Sequence, residues 1–316
     1  MLTFRCTNAC RHCLYRCSPR HEDIFMSEET IDRTFEALST ERRLYGIHLA
    51  GGEATMNWER LLYAIESARR YGVTLDYLET NASWCEDEPT ARAGFERLRH
   101  AGLPGVLISA SLFHNEFTPL AYTKVAIRAA VDIFGHSGVL VWTTEVLGLM
   151  DRGLDSDKPH TLTKACELLD LQPERGDLWR LHNYLRPGGR AAERLTDGLA
   201  RHAPDAFEGD SCHETLSGTS HFHLDPSGNL FTGHCPGVSV ADISDLHPKV
   251  SETTAPLFCE LLKEGPVGIW REFADDFMPD SEGYVSKCHL CLEVRKHLRE
   301  RRHYAELRPD EFYQPW

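Results

Sequence analysis

Between Met1 and about Asn183, six short β-rich runs alternate with five amphipathic helical runs, and this alternation predicts an α/β fold. Right-handed crossovers between parallel strands would curl these units into a partial TIM-like (β/α)6 barrel. The pattern changes after the stretch Arg186–Arg190, where a short helical piece leads into a region rich in Gly, Ser and Asp. We therefore predict a barrel at residues 1–195 and a small cysteine-rich β-hairpin/helix domain at residues 196–316.

The barrel elements follow from residue type and periodicity. The predicted strands are Leu2–Arg5, Gly46–Ala50, Val73–Thr80, Gly105–Ser111, Val139–Val146 and Asp177–His182. The predicted helices are Ser27–Arg43, Asn57–Tyr71, Glu88–Ala101, Leu120–Gly135 and Thr161–Leu171, which repeat apolar residues at helical spacing. In barrels of this kind the working site lies at the carboxyl ends of the strands, where the loops between strands and helices gather.

A short helical piece is predicted at Ala191–His202, across the boundary between the two domains. The turn Asp225–Asn229 joins the runs His221–Leu224 and Leu230–Thr232, which predicts a β-hairpin. A last helix is expected at about Leu292–Leu307, directly after a CxxC pair.

Composition excludes several classes of protein. The chain has 316 residues and a net charge of −14, so phosphate backbones would repel it and nucleic-acid binding is not expected. Hydrophobic residues make up 41% and charged residues 26%, which is typical of a globular protein rather than a disordered one. No apolar run approaches the ~20 residues of a membrane-spanning helix. The N-terminus lacks the pattern of a secretory signal, so a cytoplasmic protein without membrane association is expected.

Eleven cysteines stand out against this composition. The spacing CxxxCxxC at Cys6, Cys10 and Cys13 can hold three irons of a [4Fe–4S] cluster, which leaves the fourth iron open for a small molecule. The alternative is a structural zinc site with Cys17 or His12 as the fourth ligand. Either way, the loop after the first predicted strand is a candidate metal site.

This loop resembles the radical S-adenosylmethionine (radical SAM) superfamily, whose motif is CxxxCx(aromatic)C, with His12 in the aromatic position. Gly51-Gly52-Glu53, at the end of the second predicted strand, is similar to the family's GGE motif, which binds the cofactor's amino group. Glycines allow close backbone approach, and the carboxylate pairs with an ammonium. The resemblance also implies polar cofactor contacts at later strand ends, namely Thr80, Asn81, Ser109 and Ser111.

The resemblance implies the chemistry as well. S-adenosylmethionine would bind the open iron, and an electron from a flavodoxin- or ferredoxin-type donor would reach it through the cluster. Reductive cleavage then yields a 5′-deoxyadenosyl radical that removes a hydrogen atom from the substrate. Candidate acid–base residues are chosen only by strand-end position, and structural roles for them stay open; they are His48, His114, Glu145 and Tyr184. Cys17 is a further candidate, as an auxiliary hydrogen-atom donor or a buried thiol.

Four later cysteines form a second candidate site. Cys235 follows the predicted hairpin in a stretch similar to the DPxGxxxxC hairpin of SPASM and twitch domains, and Cys212 precedes that hairpin. Cys288 and Cys291 form the closing CxxC. The resemblance implies one auxiliary [4Fe–4S] cluster, while a zinc site with the same ligands is the alternative. The adjoining histidines His213, His234 and His289 leave the ligand set open.

Three functions are consistent with these motifs and with the resemblance. The enzyme would modify a peptide, as maturases of ribosomally made peptides do, or it would act on a small biosynthetic precursor. The third possibility is a non-catalytic iron–sulfur or zinc protein that acts as a scaffold or sensor.

Overall fold

The computed structural model describes residues 1–41, 44–182, 185–218, 221–301 and 304–314. It divides the chain into two compact units. Unit 1 comprises residues 1–10 and 17–171, and unit 2 comprises residues 11–16 and 172–316. The division after Leu171 falls earlier in the chain than the predicted boundary near residue 195, and it assigns part of the N-terminal cysteine loop to unit 2.

A parallel four-stranded sheet organises the described part of unit 1. Its strands are β1 (Ile47–Leu49), β2 (Leu75–Thr80), β3 (Val106–Ser109) and β4 (Val139–Trp142). They lie side by side in chain order, and each pairs in parallel with the next. The predicted α/β class with a parallel sheet is therefore confirmed. All four carboxyl ends meet at one edge of the sheet, which is where the loops of interest begin.

Five of the six α-helices in the described part of unit 1 lie within the predicted helical runs, and the fifth in chain order was not predicted. The six helices are α1 (Glu28–Ser39), α2 (Trp58–Arg70), α3 (Glu88–Ala101), α4 (Leu120–Phe134), α5 (Thr144–Met150) and α6 (Leu162–Leu168). The side chains of Ser27, Asn57 and Asp87 accept hydrogen bonds from backbone N–H groups in the first turns of α1, α2 and α3. On α3, Phe95 and Leu98 are fully buried.

Three of the predicted strands were wrong in part or in full. Leu2–Arg5 forms only isolated bridges, Thr3 to Phe25 and Arg5 to Ser18, because its backbone groups pair with several short segments instead of one strand. Asp177–His182 is a short helix. A six-residue segment is too short for periodicity to distinguish a strand from a helix, and Gly176 in a left-handed conformation precedes the helix. The predicted strand Val139–Val146 ends at Trp142 and gives way to α5.

Unit 2 combines short helices with a three-stranded antiparallel sheet in the order β5–β6–β7. Its strands are β5 (Phe222–Leu224), β6 (Asn229–Thr232) and β7 (Ala241–Asp242). Its helices are α7 (Asp177–Leu181), α8 (Gly189–Arg194), α9 (His213–Ser217), α10 (Pro256–Lys263), α11 (Gly265–Phe273), α12 (Lys287–Arg301) and α13 (Asp310–Tyr313). The hairpin β5–β6 lies where the sequence predicts it. Asp225 stabilises its turn by accepting from the backbone N–H groups of Ser227 and Asn229.

Two features of unit 2 differ from the sequence analysis. The helices α10 and α11 were not predicted, although they contribute buried residues such as Leu261 and Ile269 to the core. The last helix begins at Lys287 rather than Leu292, so Cys288 and Cys291 lie in its first turns instead of on a turn before it. Within the described ranges, no helix is long and apolar enough to cross a membrane.

Candidate functional site

The N-terminal cysteine loop is compact and largely buried. Cys6, Cys10 and Cys17 are buried, and Cys13 is half-buried. The backbone N–H of Cys6 donates to the carbonyl of Ser18 at 3.1 Å, so both ends of the loop are joined within unit 1. This hydrogen bond closes a loop of thirteen residues, Cys6 to Ser18, that contains four cysteines.

The segment 11–16, which carries His12 and Cys13, is held within unit 2 at the start of α8. The backbone N–H of Arg190 donates to the carbonyl of Cys13 at 3.0 Å. A Cβ on Gly189 would lie 2.2 Å from the carbonyl oxygen of Leu14, and Gly189 has a positive φ of 53°. Only glycine satisfies both conditions, so this backbone contact depends on it.

The Gly51-Gly52-Glu53 loop follows β1 at the carboxyl edge of the sheet. Gly52 donates to the carbonyl of Thr3 at 2.7 Å, and Glu53 donates to the carbonyl of Arg5 at 2.9 Å. A Cβ on Gly52 would lie 1.9 Å from the Arg5 oxygen, so a glycine is required for the loop to reach the backbone just before Cys6. The GGE sequence and the backbone that leads into Cys6 are thus adjacent in unit 1.

The carboxylate of Glu53 is the most constrained polar group of this loop, with 1% exposure. Its Oε1 accepts from the Thr55 hydroxyl at 2.6 Å and the Thr80 hydroxyl at 2.9 Å, and its Oε2 accepts from the backbone N–H of Asn81 at 2.8 Å. Burial raises the pKa of Glu53, and these hydrogen bonds oppose the rise. No ion pair to Glu53 occurs among the described residues, so its negative charge, where present, is balanced only by neutral donors.

Asn81 links this carboxylate to the cysteine loop. Its backbone N–H bonds Glu53, while its side-chain Nδ2 lies 3.5 Å from Cys6 Sγ and donates to Thr7 Oγ1 at 2.9 Å. Thr80 is the last residue of β2 and Asn81 follows it, so the predicted pair lies at the carboxyl end of this strand. Four of the predicted residues, Cys6, Glu53, Thr80 and Asn81, are therefore brought together.

The remaining predicted cofactor contacts lie on or just after β3. Ser109 is the last residue of β3 and is half-buried. Ser111 is buried and its hydroxyl lies 2.7 Å from His114 Nδ1. His114 in turn supplies its carbonyl to Asn8 Nδ2 at 3.4 Å, next to the cysteine loop. The structure thus joins Ser111 and His114 to each other and to the segment that follows Cys6.

The acid–base candidates that were chosen by strand-end position lie in different environments. His48 stacks on Tyr77 at 4.8 Å, and its Nε2 lies 3.2 Å from a carboxylate oxygen of Glu79. Burial raises the pKa of Glu79 to about 7, a feature that the sequence alone does not show. Glu145 was chosen as a strand-end residue, which is wrong, because it lies exposed in the first turn of α5. Tyr184 lies outside the described residues.

The C-terminal cysteines converge although they come from three parts of unit 2. Cys212 precedes α9, Cys235 follows the hairpin, and Cys288 and Cys291 lie on α12. Burial raises the pKa of Cys235 to about 12 and that of Cys288 to about 11, and repulsion from the neighbouring cysteines adds to both rises. The positive charges of Lys287 and Arg295 act in the opposite direction and lower both pKa values.

Among the described residues, no group of three or more His, Cys, Asp or Glu side chains is arranged to hold a metal ion. The donor chemistry of the four C-terminal cysteines nevertheless suits a thiolate-ligated group, because they are mutual electrostatic neighbours with two cations beside them. Of the adjoining histidines, His289 Nδ1 accepts from the backbone N–H of Val285 at 3.4 Å.

Several residues at these sites were not predicted from the sequence. Thr55 and Asn8 are small polar residues whose roles appear only through contacts to distant segments. Arg295 could have been found from its spacing, since it lies four residues after Cys291, but only if the helix had been known to begin before Cys288.

Residues 1–149 of this chain match the family model described as the radical SAM superfamily. The chain is also similar to a solved structure described as "Native anSMEcpe with bound AdoMet", at 15% identity and a TM-score of 0.42, with 95% of each chain covered. No curated protein matches the sequence. The matched residues include the cysteine loop, the GGE loop and the whole parallel sheet.

Proposed function

We propose that this protein is a radical SAM enzyme in which Cys6, Cys10 and Cys13 ligate a [4Fe–4S] cluster and Glu53 binds the amino group of S-adenosylmethionine. The observation that carries the proposal is the link through Asn81, which bonds Glu53 through its backbone and lies 3.5 Å from Cys6 Sγ through its side chain. The two motifs that would hold cluster and cofactor are thereby neighbours.

The Glu53 carboxylate suits a cationic ligand. A fully buried carboxylate without a cationic partner is costly, and an ammonium group offsets that cost by a charge-assisted hydrogen bond. Thr55, Thr80 and Asn81 fix the orientation of the carboxylate before any ligand arrives. Preorganisation of this kind lowers the entropy lost on binding.

The chain contributes positioning rather than bond chemistry. When bound, the reduced cluster and S-adenosylmethionine supply a 5′-deoxyadenosyl radical that abstracts a hydrogen atom from the substrate. Gly52 keeps the GGE loop against the backbone before Cys6, and Ser109 and Ser111 offer hydroxyl groups at the end of β3 for the nucleoside part of the cofactor. A flavodoxin- or ferredoxin-type protein is the proposed electron donor.

The second part of the proposal concerns unit 2 and the substrate. Cys212, Cys235, Cys288 and Cys291 would ligate an auxiliary [4Fe–4S] cluster in a twitch-like domain. Their convergence from three segments, with Lys287 and Arg295 beside them, supports this. The proposed substrate is a peptide, as in ribosomal peptide maturation, or a small biosynthetic precursor.

Formation of 5′-deoxyadenosine tests the enzymatic proposal. Anaerobically reconstituted protein, given S-adenosylmethionine and dithionite, is expected to form 5′-deoxyadenosine even without substrate. The Cys13→Ala variant should form none, while Cys166→Ala, which changes a buried cysteine of α6 outside both sites, should retain the activity. If the wild type forms no 5′-deoxyadenosine above the background of Cys13→Ala, the proposal is overturned and a non-catalytic scaffold or sensor is favoured.

A further inference from the structure

One buried cation lies on the same helix face as two of the C-terminal cysteines. In α12, Cys288, Cys291 and Arg295 are spaced by three and four residues, which places them on one face over two turns. Arg295 Nη1 donates to the carbonyl of Pro236 at 2.9 Å, so the guanidinium also reaches the residue that follows Cys235. The side chain therefore stands beside three of the four cysteines.

The Arg295 guanidinium is buried, with 6% exposure, in an aromatic and carbonyl environment. Its central carbon lies 5.6 Å from the ring centre of Phe312 and 5.9 Å from that of Tyr313, and Nη1 lies 3.2 Å from the Tyr313 hydroxyl. Its Nε–H is buried and has no acceptor among the described residues. This donor is thus available to a group that the cysteines would hold.

No carboxylate balances this charge in the described part of unit 2. The acidic neighbours of α12 are engaged elsewhere, since Glu193 pairs with Arg16 and Lys296, and Asp210 pairs with Lys287. The groups that raise the pKa of Arg295 against the effect of burial are Tyr313 and the cysteines 291, 235 and 288. A buried guanidinium without a negative partner is unfavourable, and the cysteines would supply negative charge as the thiolates that hold a metal cluster.

We propose that Arg295 is the fixed counter-charge of the auxiliary cluster and that its guanidinium raises the midpoint potential of that cluster. The inference rests on the auxiliary cluster proposed above. A [4Fe–4S] centre with four thiolates is anionic, and it gains one further negative charge when an electron from the reductant enters. A nearby cation and an N–H directed at the thiolates stabilise the more negative state. Lys287 contributes less, because Asp210 already pairs with it.

The test uses the full chain with Cys6, Cys10 and Cys13 all replaced by Ala, so that only the auxiliary cluster remains. Into this parent are placed Arg295→Met and Arg295→Gln, which remove the charge, and Arg295→Lys, which keeps it. Arg299→Met is the matched control, because Arg299 lies one turn further along α12 and pairs with Asp310. Iron and sulfide are counted, and the midpoint potential is measured by titration with dithionite followed by electron paramagnetic resonance.

We expect the two neutral variants to shift the midpoint potential to more negative values, Arg295→Lys to shift it less, and Arg299→Met to leave it unchanged. Loss of iron from both neutral variants but not from Arg295→Lys would also support the counter-charge. An unchanged potential in a fully loaded neutral variant overturns the inference, as does equal loss of iron from all three Arg295 variants. A parent that binds zinc or no metal instead overturns the auxiliary cluster itself, so the two failures are distinguishable.

Discussion

At the scale of single residues, Glu53 offers a direct test of cofactor binding. Replacement by Gln keeps an oxygen acceptor for Thr55 and Thr80 but removes the negative charge that would pair with an ammonium. A hydrogen bond to a charged group contributes about 1.5–3 kcal/mol, so we expect S-adenosylmethionine to bind about 10- to 100-fold more weakly. Isothermal titration calorimetry on the reconstituted protein measures this, with the visible absorbance of the cluster retained.

The control for Glu53→Gln is Glu59→Gln, a change at an exposed carboxylate in the first turn of α2. It should bind the cofactor as the wild type does. Wild-type affinity in Glu53→Gln would remove Glu53 from the cofactor site.

At the scale of elements, the start of α8 positions the segment that carries Cys13. In Gly189→Ala, the new Cβ would meet the backbone oxygens of Leu14 at 2.2 Å and Cys13 at 2.8 Å, and the positive φ adds a cost of about 1–2 kcal/mol. Because backbone atoms cannot rotate away as side chains do, the contact should open and the third cysteine should move. We expect iron bound at the N-terminal cysteines to be lost while iron at the C-terminal cysteines is kept.

Iron counting and 5′-deoxyadenosine formation check this expectation. The matched control is Gly148→Ala in α5, where an added Cβ has nothing within 4 Å. Full iron content and normal product formation in Gly189→Ala would show that α8 does not position Cys13.

At the scale of the whole molecule, His182 links stability to pH. It is fully buried at the end of α7, and burial lowers its pKa to about 4. Between its ordinary value of 6.5 and 4, the unfolded chain binds a proton that the folded chain does not, so stability falls as pH decreases through this window. The shift corresponds to at most about 3 kcal/mol.

The variant His182→Gln removes this titration. Urea unfolding at pH 7.5 and pH 5 should show a smaller loss of stability in the variant than in the wild type, by about 2 kcal/mol. His100→Gln, at an exposed position of α3, should behave as the wild type does. An identical pH dependence in His182→Gln and the wild type would contradict the assignment.

Local patterns in the sequence were sufficient wherever a single segment carries its own signals. Helix α3 begins and ends at the predicted residues because Asp87 caps its start, Pro89 follows, and Gly102 adopts a left-handed conformation after its end. The parallel sheet and the hairpin were likewise predicted, since periodicity and turn residues act over a few positions. The CxxxCxxC and GGE motifs could be recognised for the same reason.

Tertiary structure decided what depends on residues far apart in the chain. Asn81 reaches both Glu53 and Cys6, and Cys235, Cys288 and Cys291 come near Arg295 from two segments of unit 2. The segment Asp177–Leu181 is a helix. The sequence did not predict it, because the segment is too short for its periodicity to distinguish a helix from a strand. The sequence by itself determined the α/β class and revealed the cysteine and GGE motifs through local signals. Only the tertiary structure places the buried charges of Glu53 and Arg295 beside those motifs. Burial and pairing of charges depend on contacts between distant residues, which no local pattern encodes.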